Sequence, residues 1–253
     1  MPSLLPLGKV EALYFFRGEW LKQLPTSFIS EKDRDLKTII IFHGYGANAW
    51  DLSSLAAYHG RYIDTEQVQD YLWIFPQGLL NLAGNTNDFG QRAWFPISVE
   101  RLLLQKTASP DFLSQQTIHG SENLQKTLMG FVALLADRGI RQIILGGFSQ
   151  GGMLAYHLLP SFKALVSVDT LAIFSTVSID FNRYHQLWHE QIPYQSLKTL
   201  LQSHGTRDEV LDHNEGKKLF AYLSPYFQRA EFIEFIGGHT ITDDTLLTFF
   251  KFL

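Results

Sequence analysis

Ile143-Ile144-Leu145-Gly146-Gly147-Phe148-Ser149-Gln150-Gly151-Gly152-Met153 joins an apolar strand-like run to a helix-like one through a glycine-flanked serine. A β-prone apolar run leads into Gly147, and a helix-like segment runs from Met153 to Leu159. Between them stands Gly-x-Ser-x-Gly. In that setting a serine is forced onto a sharp strand-to-helix turn, because the flanking glycines let the two elements pack closely around it. The hydroxyl of Ser149 then stands clear of the sheet, where a nucleophile is useful.

Outward from this stretch, apolar runs alternate with helical patterns. Upstream, Val10 to Arg17 reads as a first strand, paired with one near Ser27 to Ser30. Thr38 to Phe42 is a strongly buried strand, Asp51 to Tyr58 a short helix, and Tyr71 to Phe75 a strand stopped by Pro76. Ser121 to Arg138 carries Leu124, Leu128, Phe131 and Leu135 at helical spacing, with Gly139 placed to cap it. Downstream, strands are expected near Leu171 to Phe174, Lys198 to Gln202 and Glu231 to Ile236, and helices over His213 to Leu223 and Thr242 to Phe250. This order predicts an α/β fold: a largely parallel sheet covered by helices on both faces. Residues 1–253 read as one domain. Segments 78–120 and 180–195 fit the alternation poorly and are candidate excursions that roof a pocket.

Composition removes several function classes. The chain has 253 residues, 45% of them hydrophobic and 18% charged, which is neither disordered nor membrane-embedded. A net charge of −4 gives no general pull toward nucleic acid or anionic membrane. With no cysteine, disulfides, thiolate zinc sites and cysteine nucleophiles are excluded. Met1 to Gly8 is apolar but lacks a basic leader and is broken by Pro6 and Gly8, so neither a signal peptide nor a spanning helix is expected. Cytoplasm is the default location.

A serine hydroxyl needs a base, and the base needs an acid to fix its tautomer. Of nine histidines, only His213 and His239 follow a plausible acid late in the chain. His239 comes directly after a strand through Gly237-Gly238, where a catalytic base belongs; His213 starts a helix and suits a structural role. Asp208 occupies the loop after the strand Lys198 to Gln202 and is the expected acid, with Asp180 as its rival and Asp212 as a helix cap. The oxyanion of acyl transfer needs two preset donors. The Gln150 amide is one; the loop His43-Gly44-Tyr45-Gly46 offers the other, Tyr45 N–H first and Gly46 N–H as fallback, with His43 orienting the loop.

Other chemistries fit less well. Gly44-Tyr45-Gly46-Ala47-Asn48-Ala49 matches a dinucleotide fingerprint with Asp64 about 20 residues on, but Asp64 precedes the next strand instead of ending it. Asn85 to Gly90 is shaped like a calcium loop, yet Phe89 stands where an oxygen ligand is needed. His185 and His189 share a helical spacing with nothing nearby to complete a zinc site. No metal and no cofactor are expected.

Four blocks, His43-Gly44-Tyr45-Gly46-Ala47-Asn48, Gly147-Phe148-Ser149-Gln150-Gly151-Gly152, His204-Gly205-Thr206-Arg207-Asp208 and Gly237-Gly238-His239-Thr240, resemble the carboxylesterase/phospholipase group of α/β-hydrolases, which includes the acyl-protein thioesterases. The resemblance implies the α/β-hydrolase fold, a twisted sheet of about eight strands with an antiparallel early strand, and cofactor-free cleavage of carboxylic esters or thioesters. It assigns Ser149 as nucleophile, Asp208 as acid and His239 as base. Trp94-Phe95 resembles the aromatic pair near the family's acyl pocket, which implies substrate binding; loop anchoring is the competing role. Residues 108–121, the aromatic segment 180–194 and Asp169 beside a buried strand depart from the family pattern. The resulting expectation is a serine esterase acting on a small-molecule or lipid ester, with no nucleic-acid partner and no stable membrane insertion. A lysophospholipase, a dienelactone-type hydrolase and a binding protein that has lost catalysis are the alternatives. Oligomeric state is open, a homodimer being compatible.

Overall fold

The computed structural model describes residues 2–28, 36–62, 71–84, 89–97 and 114–253. In chain order the first elements are β1 (Leu5–Leu7), β2 (Val10–Phe16), β3 (Glu19–Trp20), β4 (Lys37–Phe42), α1 (Ser54–Tyr62), β5 (Tyr71–Pro76), β6 (Leu80–Asn81) and β7 (Arg92–Ala93). There follow α2 (Ser121–Asp137), β8 (Gln142–Phe148), α3 (Gln150–Phe162), β9 (Ser167–Phe174), α4 (Phe181–Gln191), β10 (Leu197–Gly205), α5 (His213–Leu223), a 3₁₀ turn, β11 (Phe227–Phe235) and α6 (Asp243–Phe252).

One sheet runs β1-β2-β5-β4-β8-β9-β10-β11, with short β3 added beside β2, and β6 and β7 form a separate two-stranded ribbon. From β5 to β11 neighbouring strands are parallel, while β2 is antiparallel to both β1 and β5. Period-two alternation divides the apolar strands between two cores. In β4, Ile40 and Phe42 join Leu124 of α2, Leu154 of α3, Trp188 of α4 and Leu219 of α5 on one face. Ile39 and Ile41 join Leu55 of α1, Trp73 and Phe249 of α6 on the other. This is the expected α/β architecture with eight strands in the main path. Among the described residues, no helix is long and apolar enough to cross a membrane.

Three sequence expectations change. Of the strand expected near Ser27 to Ser30, residues 29 and 30 lie outside the described residues; residues 27 and 28 carry no strand, and Phe28 plugs the core against the rings of Tyr14 and Phe16. The β2 edge is extended by β1 and β3, each too short to show a period. Segment 180–195 is mostly helix: α4 buries Tyr184 and Trp188 one turn apart, and the Trp188 indole N–H donates to Tyr156 O at 3.0 Å. Asp169, the unexplained polar residue of β9, meets Lys198 Nζ of β10 at 2.6 Å and Gln142 of β8 at the start of those strands, the end of the sheet away from Ser149. Asp64, residues 85–88 of the calcium-like loop and residues 98–113 of the first excursion lie outside the described residues.

Candidate active site

The four motif blocks stand at the ends of β4, β8, β10 and β11, the carboxyl edge where open α/β sheets gather their ligands. Ser149 sits between β8 and α3 at φ 54°, ψ −120°, a strained region for any residue with a side chain. Its N–H donates to Phe174 O at 2.9 Å, and its carbonyl accepts Met153 N–H at 3.1 Å and the Thr176 hydroxyl at 3.2 Å. The glycines around it are demanded by contact. A β carbon on Gly147 would run into the Gly151 carbonyl, one on Gly151 into Phe42 O, and one on Gly152 into the Thr176 hydroxyl.

The loop after β4 is clamped from three sides. His43 Nδ1 donates to Gly44 O at 2.8 Å, while His43 Nε2 accepts Gly78 N–H at 3.0 Å, so both ring nitrogens are committed. Burial pulls the His43 pKa down to about 4 despite the bond to Gly44 O, and the Arg92 charge adds to the lowering. The ring is therefore uncharged at neutral pH and orients the loop. Gly46 N–H donates to Arg92 O at 2.8 Å, which removes it as an oxyanion donor. Among the described residues neither Tyr45 N–H nor Gln150 N–H has an acceptor.

Trp94 and Phe95 are buried, with no more than 2% of their surface open. The Trp94 indole donates to His43 O at 2.8 Å; Gln150 Oε1 accepts Trp94 N–H at 2.9 Å, and Gln150 Nε2 donates to Phe95 O at 2.7 Å. The pair thus buttresses the loop after β4 and ties it to the start of α3. The Gln150 side chain, which sequence reasoning passed over in favour of its amide, closes this link.

On the other side, β10 and β11 bring two blocks together. Gly205 admits the Gly237–Gly238 backbone where a β carbon would collide, and Arg207 N–H donates to Gly237 O at 2.9 Å. Ser175 Oγ donates to Thr240 O at 2.9 Å, holding the far side of the same loop. His239 Nδ1 consequently meets Asp208 Oδ2 at 2.7 Å. The Asp208 side chain is fully enclosed; its Oδ1 accepts Val210 and Leu211 N–H, both at 2.9 Å, and Oδ2 also lies 3.2 Å from His204 Nε2. Burial alone would push this carboxyl up, but bonds from His204, His239 and Leu211 N–H, with the His239 charge, together hold it well below the usual carboxylate range.

The rival residues are occupied elsewhere. Asp180 Oδ2 accepts Ile118 N–H at 3.1 Å, fastening the start of α4 to the segment before α2. His213 Nε2 lies 2.8 Å from Glu234 Oε1, and Asp212 caps α5 through Asn214 N–H at 2.7 Å. The His239 ring packs on Phe148, centroids 4.8 Å apart, beside the elbow. Among the described residues no hydrogen bond joins His239 to Ser149 Oγ. A cavity of about 610 Å³ opens between the start of α4 and α5, lined in part by Ser178, Phe181, Asn182, Leu219 and Tyr222. Ser178 lies two residues beyond Thr176, which bonds the Ser149 carbonyl. Among the described residues no His, Asp or Glu cluster could hold a metal ion.

Three functional neighbours escaped the sequence reading: Thr176, the Gln150 amide side chain and His204. Of these only His204 left a signal, as the first residue of the His204 to Asp208 block.

Comparison with known proteins places this geometry in context. Among solved structures, esterase PE8 is 24% identical, with 86% of this chain and 91% of that chain covered at a TM-score of 0.60. YahD in complex with malic acid is 17% identical over 96% of this chain and 97% of its own, TM-score 0.65. The Bacillus cereus carboxylesterase is 14% identical over 96% and 92%, TM-score 0.59. At these identities the likeness shows a shared fold. No curated protein sequence matches. The phospholipase/carboxylesterase family model matches residues 25–253, nearly the whole chain and all four motif blocks, and the protein therefore belongs to the phospholipase/carboxylesterase family of α/β-hydrolases.

Proposed function

We propose that the protein is a serine esterase that cleaves carboxylic esters through an acyl-enzyme on Ser149. The observation that carries this reading is the 2.7 Å bond between Asp208 and His239, built by two sheet strands on the same edge as a strained serine. Asp208 accepts from Nδ1, so the imidazole keeps its other nitrogen, Nε2, as a base. His239 takes the Ser149 proton as Oγ attacks the acyl carbonyl. The charge developing on the carbonyl oxygen is met by the Gln150 and Tyr45 amides, neither of which has an acceptor among the described residues. A single such donor is worth roughly 100- to 1,000-fold in turnover. His239 then passes its proton to the departing alkoxide, and the same ring activates the water that releases the acid and frees Ser149.

The Ser149–His239 hydrogen bond is expected to form around substrate, since catalytic hydrogen bonds often tighten only there. Membership of the phospholipase/carboxylesterase family supports a small-molecule ester as substrate. The test is labelling with a fluorophosphonate, followed by hydrolysis of aryl esters of graded acyl length. One adduct per chain, mapped to Ser149, is expected. A chain that neither labels nor hydrolyses any ester would be a binding protein on a hydrolase fold, and the proposal would be abandoned.

A further inference from the structure

We propose that His204 is a positioning residue: its Nε2–H holds the Asp208 carboxylate in the orientation that presents Oδ2 to His239. The proposal rests on the triad reading given above.

His204 lies near the end of β10 and is fully buried. Its Nε2 has two neighbours, Leu211 O and Asp208 Oδ2, each at 3.2 Å. Both are acceptors, so Nε2 carries a proton and shares it between them. Asp208 Oδ1 is already pinned by the Val210 and Leu211 amides. Among the described residues Oδ2 has only the two histidines, one on each side. Without the His204 N–H, a single flexible bond to His239 would set the angle of that oxygen.

Packing alone does not explain the ring. His204 Nδ1 is buried with no partner, a penalty that an aliphatic side chain of similar size would avoid. The same edge of the ring lies against Gly216, inside α5, where a β carbon would collide with Nδ1. A glycine within a helix is unfavourable. The fold thus tolerates an orphaned nitrogen and a weakened helix to keep an imidazole here, and what the imidazole supplies is the N–H on Asp208. The other charged neighbours do not compete for that role. His213 of α5 stands 5.8 Å away ring to ring, with Glu234 of β11 beside it and Lys217 of α5 on that carboxylate.

Three variants separate positioning from packing. His204→Leu and His204→Met keep volume without a donor, and His204→Gln keeps an N–H near the Nε2 position. Thermal melts first establish that each is folded. The apolar variants are expected to lose about 10- to 100-fold in kcat, the factor a hydrogen bond to a charged group is worth, with KM unchanged because substrate is not touched. His204→Gln is expected to recover most of that loss. The proton resonance of the His239 Nδ1–H, moved to low field by its short bond to Asp208, is expected to persist in wild type and His204→Gln and to shift or broaden in the apolar variants. Wild-type kcat in His204→Leu, an equal loss in His204→Gln, or unfolding of both apolar variants would overturn the proposal and leave the ring as a packing element. A wild-type chain that fails to react with fluorophosphonate would overturn the triad reading and this one with it, whereas normal labelling with an indifferent His204→Leu would sink this one alone.

Discussion

The elbow around Ser149 and the flank made by α4 and α5 border the same end of the sheet, yet different forces hold them. At the elbow, backbone meets backbone: Gly147 against Gly151, Gly151 against Phe42 O, Gly205 against Gly237 and Gly238. Such crowding leaves no room for a β carbon, so the chain must carry glycine at set positions, and a reader can find them. In the flank, side chains fill space: Trp188 packs on Tyr226 and Phe227, Tyr184 stacks on His157 at 3.4 Å, and the Tyr156 hydroxyl accepts Ile179 N–H. Many residues could fill that space, and the sequence there resembles no pattern. The proposed reaction centre lies in the part held by backbone packing.

Substitutions in the two regions should differ in what they cost. The largest effect is expected from Ser149→Ala, which should reduce kcat by on the order of 10⁴ to 10⁶ while the melting temperature stays near wild type; near-normal hydrolysis would place the nucleophile elsewhere. Asp208→Asn should follow with about a 10⁴-fold loss in kcat, because an amide cannot fix the imidazole tautomer. That variant also reads stability against pH. The Asp208 carboxyl is held below its ordinary range, so its stabilising bonds are fully in force above the unfolded value of about 3.9 and vanish as pH falls through the lower folded value. The stability difference between wild type and Asp208→Asn should be flat from neutral pH down to about 5 and shrink at still lower pH, as followed by thermal melts.

In the flank, Trp188→Ala should destabilise the fold by about 3–5 kcal/mol, measured by urea unfolding, while the folded fraction still reacts with fluorophosphonate. Loss of labelling in step with folded protein would fit; loss of labelling at full folding would tie α4 to the chemistry. The smallest effect is expected at the opposite end of the sheet. Lys198→Ala removes the partner of Asp169 at a largely exposed position and should change stability by no more than about 1 kcal/mol and turnover not at all.

How much was legible follows from the same division. The parallel sheet, the elbow and the turn after β4 could be read because strand runs and obligatory glycines leave direct marks. Asp208 is expected over Asp180 because it stands in the loop directly after β10; His239 Nδ1 meets Asp208 Oδ2 at 2.7 Å, whereas Asp180 Oδ2 accepts Ile118 N–H ahead of α2. Helix α4 leaves no periodic mark in the sequence because only Tyr184 and Trp188 of its eleven residues are buried, too few to show a stripe. Trp94 and Phe95 stood between two roles, and their burial under the loop after β4 reveals an anchoring contribution that composition could not. His204 was visible as part of a block, but its contact with the acid depends on the turn between them folding back, which no spacing rule reports.

The central claim is that Ser149 is acylated with His239 as base. Rapid mixing with an aryl ester, followed by acid quench and peptide mapping, tests it most directly. A burst of one released aryl alcohol per chain, with the acyl group on Ser149 and neither burst nor adduct in His239→Ala, is the expected result. Sustained hydrolysis with no covalent adduct, or an adduct on any other residue, would contradict it.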